Sequence, residues 1–160
     1  MVAEAIRQFL PLISHAAGRH GLDAQILGGL VYVESSGNPW AIRVERGFWA
    51  RYGAGVKRAI LGNAFPADDR WLAFPDLTSA SYGLCQIMYP VAVEHGARFR
   101  YPTELLAPEL NLALGAKILA SHLARRGSVE KALLAYNGGG DPHYLGRVLA
   151  AATDLRGDNV

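Results

Sequence analysis

The chain has 160 residues, 51% of them hydrophobic and 19% charged. That length fits one domain with an apolar core, and the composition excludes a disordered chain. Lys and Arg number 16 against 14 Asp and Glu, a formal charge of +2, so no basic footprint marks a nucleic-acid binder. Cys85 is the single cysteine, which rules out an intrachain disulfide and a cysteine zinc site. The five histidines are scattered without ligand spacing, so neither a metal nor a cofactor is expected. No apolar run approaches the roughly 18 residues of a membrane span. Glu4, Pro11 and His15 spoil the N-terminal stretch as a secretory signal.

Residues 3–18 carry Ile6, Phe9, Leu10, Ile13 and Ala17 at helical spacing, with Pro11 as an interruption, and predict one packing helix or two short ones. Asp23 caps the next helix, whose apolar positions Leu27, Leu30 and Val31 lead on the same face to Glu34. Ser35, Ser36, Gly37, Asn38 and Pro39 end it. Residues 40–80 interleave aromatics with arginines; a short helix over 46–61 and a loop over 62–80 are expected. After Ser79, Ala80 and Ser81 a helical stretch to about Glu94 is expected, with Pro90 as a kink or break. The clearest amphipathic helix runs from Pro108 to Arg126 and stops at Gly127. Ser128 caps a short helix to Tyr136, and Asp141 with Pro142 opens a last one through Tyr144, Leu145, Val148 and Leu149. No alternating strand pattern stands out. The expected fold is mainly α, with an irregular insertion that holds at most a small β-hairpin.

Glu34 is the first residue whose placement calls for chemistry. A carboxyl on the apolar side of a helix is desolvated, which favours its protonated form and suits a general acid. The plain alternative is an inward Glu held by a neighbouring arginine. Two further segments add neutral hydrogen-bonding groups on otherwise apolar elements: Ser81-Tyr82-Gly83-Leu84-Cys85-Gln86-Ile87-Met88 and Ala135-Tyr136-Asn137-Gly138-Gly139. Their plain reading is capping and buried hydrogen bonding.

The order of Glu34-Ser35-Ser36-Gly37-Asn38-Pro39 and these two segments resembles the catalytic domain of soluble lytic transglycosylases, lysozyme-like enzymes that cut peptidoglycan glycan strands. Asn111-Leu112 with Gly115-Ala116-Lys117-Ile118-Leu119 is similar to the family's intervening helix. The resemblance covers about residues 22–140 and implies a single lysozyme-like helical domain over 1–160. It implies Glu34 as sole catalytic acid/base, Tyr136 orienting it, Gln86 and Asn137 positioning N-acetyl or ring oxygens, and Ser81 lining the site. The implied reaction breaks the bond between N-acetylmuramic acid and N-acetylglucosamine and leaves a 1,6-anhydromuramic end. A substrate acetamido oxygen would assist, so no protein nucleophile is needed.

Two departures stand out. Cys85 occupies a position where the family commonly has Met, an apolar exchange. The connection from Glu34 to Ser81 is much longer than in ordinary members, which makes 40–80 an insertion. Trp49, Tyr52 or Trp71 in it would stack on sugars or fold it onto the core. Its carboxylates Glu45, Asp68, Asp69 and Asp76 offer a second carboxylate, Glu45 and Asp76 foremost, for an inverting hydrolase like goose-type lysozymes. A non-catalytic wall-binding or virion assembly module is the alternative of another class. The expected partner is peptidoglycan glycan strands, met by a monomer without membrane insertion or nucleic acid. Action at the cell wall without a signal in the chain implies a phage-encoded endolysin or virion protein, another export route, or a bacterial enzyme cloned without its signal.

Overall fold

The computed structural model describes residues 1–45, 47, 48, 50, 51, 53, 75–98 and 101–157. Pro11 shapes the start of the fold. Helix α1 (Val2–Ile6) passes into a 3-10 turn (Arg7–Phe9) before α2 (Leu10–Gly18), with Pro11 in the first turn of α2. There its missing N–H has no helical partner to lose, whereas in a continuous helix it would break the ladder. The expected stretch over 3–18 is thus two helices.

Helix α3 (Ala24–Ser35) begins at Asp23, whose carboxylate accepts from the N–H groups of Gln25 (2.8 Å) and Ile26 (3.3 Å). It ends at Ser36, which takes the left-handed conformation at φ 52° and donates its N–H to Tyr32 O. Leu27, Leu30 and Val31 are wholly buried. After α3 come strand β1 (Ile42–Val44) and a helical turn in which Arg51 N–H reaches Gly47 O. The remainder of the helix expected over 46–61, the loop over 62–74, and with them Trp49, Tyr52, Asp68, Asp69 and Trp71, lie outside the described residues.

The stretch from 75 to 94 departs from expectation. Instead of loop and then helix it holds a short helix α4 (Pro75–Thr78), strand β2 (Ala80–Tyr82), strand β3 (Ile87–Met88) and helix α5 (Tyr89–Glu94). Two residues of the β2–β3 turn, Gly83 at φ 72° and Gln86 at φ 48°, are left-handed and cannot belong to a right-handed helix. The strand backbones pair antiparallel in the order β1-β2-β3, with Arg43 opposite Ser81 and Ser81 opposite Met88. Pro90 therefore opens a helix and kinks none. The small sheet joins the first strand of the insertion to the second motif.

A 3-10 turn (Pro102–Leu106) leads into α6 (Pro108–Arg126), which stops at Gly127 with φ 79°. Helices α7 (Val129–Tyr136) and α8 (Tyr144–Gly157) follow. The closest helix packing is between antiparallel α3 and α8. A Cβ added at Gly29 would lie 2.6 Å from Val148 O and 3.0 Å from Ala152 N. Glycine there lets the two backbones touch, and it sets the α3 end against the start of α8. The fold is mainly α with a small three-stranded antiparallel sheet, as the sequence implies.

Candidate active site

Glu34 sits in the last turn of α3, where burial and the negative end of the helix both disfavour a carboxylate. Its carboxyl is held above the usual range, chiefly by burial and further by the charge of Glu45. The bond from Tyr144 and the charges of Arg43 and Arg147 oppose that rise without cancelling it. Tyr144 OH donates to Glu34 Oε1 at 2.7 Å. Among the described residues the second carboxyl oxygen has no hydrogen-bond partner, and Glu34 lines a cleft of about 950 Å³.

The bond on Glu34 thus comes from α8, and the resemblance had implied Tyr136. Tyr136 OH donates instead to Cys85 O at 2.9 Å. It still lines the cleft, and its phenol is held protonated chiefly by burial. Tyr144 was legible only as an apolar position of the last helix. The signal was its hydroxyl: a phenol that is 2% exposed needs a buried acceptor.

Ser81 and Gln86 also line the cleft, and their bonds run within the protein. Ser81 Oγ donates to Gln86 Oε1 at 2.9 Å, and Gln86 Nε2 donates to Ala41 O (3.1 Å) and Gly83 O (2.9 Å). The pair braces the β2–β3 turn against the chain leading into β1. With its amide oriented to meet the surrounding donors, Asn137 Oδ1 accepts from Asp141 N (3.0 Å) and Gly140 N (3.3 Å), fixing the glycine turn at the cleft edge.

Asn111, wholly buried on α6, clamps the same hairpin from below. It accepts from Cys85 N (2.7 Å) and donates to Tyr82 O (2.9 Å) and Leu105 O (2.7 Å). A Cβ at Gly83 would fall 2.6 Å from Asn111 Nδ2, and one at Gly115 would fall 2.5 Å from Cys85 Sγ. Ser35 Oγ donates to Leu84 O at 2.9 Å and ties the residue after Glu34 to the turn. Cys85 itself is inert, because burial and the charge of Glu34 keep its thiol protonated.

Of the two foremost candidates for a second carboxylate, Glu45 lines the cleft, where it is ion-paired with Arg43 at 2.7 Å. Asp76 is exposed on α4 and is not among the cleft residues. No group of three or more His, Cys, Asp or Glu side chains among the described residues is placed to hold a metal ion. No described helix is long and apolar enough to cross a membrane.

A helical fold with a partly buried glutamate at a helix end, facing a long cleft beside a small antiparallel sheet, is lysozyme-like. The chain belongs to the Transglycosylase SLT domain family, which it matches over residues 11–149. Over 41 residues it is 49% identical to a protein named membrane-bound lytic murein transglycosylase C from Histophilus somni (strain 2336). The protein of that name from strain 129Pt matches equally. Each match covers 26% of this chain and 11% of the relative, so the chain spans a small part of these curated relatives' length. No solved structure gives a significant match.

Proposed function

We propose that this chain is a peptidoglycan lytic transglycosylase with Glu34 as its single acid and base. The observation that carries the reading is Glu34 itself, a carboxyl whose pKa burial at a helix end raises and which Tyr144 holds over the cleft. Family membership supports the substrate class.

In the proposed reaction Glu34 gives its proton to the oxygen linking N-acetylmuramic acid to N-acetylglucosamine, and the C1–O bond breaks. The muramic C6 hydroxyl oxygen then bonds to C1 and its proton passes to Glu34, which regenerates the acid. The 2-acetamido oxygen of the sugar stabilises C1 in between, the part a second carboxylate plays in other glycosidases. Tyr144 positions the carboxyl, and the Ser81–Gln86 brace and Asn137 hold the cleft wall. The enzyme acts at the cell wall.

Glu45 favours one second reading, since it alone of the two foremost candidates stands in the cleft. As a base for water it would make the protein an inverting hydrolase. Mass spectrometry of digested sacculi separates the two. Anhydromuramic ends are the expected result; hydrated reducing ends, heavier by one water, would sink the transglycosylase reading.

A further inference from the structure

Beyond Tyr136 the cleft continues to three side chains that the proposed chemistry leaves unused: His95, His122 and Arg125. The His122 ring meets the Tyr136 ring edge-on, centroids 6.4 Å apart at 76°. Arg125 Nη2 lies 3.3 Å from His122 Nδ1. A guanidinium only donates, so Nδ1 must be the acceptor, the imidazole neutral and its proton on Nε2. Burial and the charge of Arg125 hold His122 in that neutral form.

The consequence is an unusual cation. Arg43 is neutralised by Glu45 and Arg147 by Asp141, whereas Arg125 is held by a neutral ring and keeps its full charge. Glu94 lines the same stretch, yet among the described residues no carboxylate pairs with Arg125. The guanidinium fork and the His122 Nε2–H are thus two donor groups fixed on one helix turn of α6, a pattern that fits a carboxylate.

We propose that Arg125 and His122 form a subsite for a carboxylate of the peptide stem borne by the muramic acid next to Glu34; this rests on the substrate class proposed above. Proximity supports the choice. Tyr136 meets His122 ring to ring, and both line the same cleft as Glu34. That is within reach of the sugar being cut. N-acetylglucosamine carries no charge, whereas muramic acid carries its anionic peptide there.

The test uses Glu34→Gln, which binds without turnover, titrated with a tetrasaccharide muropeptide and with the same ligand whose stem carboxyls are amidated. Adding Arg125→Gln should weaken the native muropeptide about fivefold, as for an exposed ion pair, and leave the amidated one unchanged. Arg125→Lys should recover part of the loss. Equal effects on both ligands, no effect on either, or no binding by Glu34→Gln would overturn the subsite. So would Arg125-dependent binding of a glycerol-phosphate polymer with none of the muropeptide. Product analysis of the unmodified enzyme reads the chemistry separately. Hydrated ends with charge-dependent binding would remove the transglycosylase reading alone, and anhydro ends with equal ligand effects would remove the subsite alone.

Discussion

Tyr144 donates to a carboxyl that the proposed reaction requires to be protonated first and ionised later. Its bond favours the ionised form, so Tyr144→Phe should raise the Glu34 pKa further above its already elevated position. The descending limb of the pH–rate profile, which reports loss of the proton from Glu34, should move to higher pH. The rate should fall about tenfold, the cost of one hydrogen bond to a charged group. A variant with unchanged limb and rate would remove Tyr144 from the site. Glu34 was readable in the sequence because it falls on the stripe of Leu27, Leu30 and Val31 and is followed by helix-stopping residues. Tyr144 was not, since its partner stands 110 positions away and its own helix offers only an apolar period.

At the scale of elements, the β2–β3 hairpin depends on Asn111. Replacing it by Ala would strand Cys85 N, Tyr82 O and Leu105 O in the interior, at about 1–3 kcal/mol for each group left unsatisfied. Urea titration of Asn111→Ala should therefore show a loss of at least about 3 kcal/mol. Gly29→Ala works at a distance: its methyl would press on Val148 O and lift α8, carrying Tyr144 off Glu34. We expect about 1–3 kcal/mol of destabilisation from overpacking and a pH-limb shift of the same sign as in Tyr144→Phe. A stability loss without that shift would separate α8 docking from the site. The hairpin was hidden in the sequence for a physical reason. Strands of two and three residues are too short to show a period, and their backbone partners come from β1, across the insertion. Helix α6 was legible to the residue, because Pro108 and Gly127 mark its ends and packing asks nothing that its own pattern does not supply.

Across the whole molecule, the antiparallel pair α3 and α8 is latched at both ends, by Glu34 with Tyr144 and by Asp23 with Arg156. The two latches respond to pH with opposite signs. Asp23 is partly desolvated, but the Arg156 bond and the capped N–H groups outweigh this and hold it below the usual range. Its contribution is present above the unfolded carboxylate pKa and is lost as pH falls through the depressed value. Glu34 is raised, so its contribution is full below the unfolded pKa and lost as pH rises through the folded one. Glu34→Gln should accordingly melt above the unmodified protein at neutral pH, with the difference closing in acid. Asp23→Ala should melt below it at neutral pH, again converging in acid. Calorimetry across that range checks both, and parallel curves would contradict the assignment. The two latches also fix the order in which the proposed site is completed along the chain. A nascent chain read as far as Gly140 already holds Glu34, the hairpin, the Asn111 clamp and every residue that lines the cleft. It lacks the helix that covers Gly29 and the phenol that holds the carboxyl. Residues up to 140 thus supply the cleft while α8 supplies the hold on the proposed acid, so a chain cut before Tyr144 should lack the bond on Glu34.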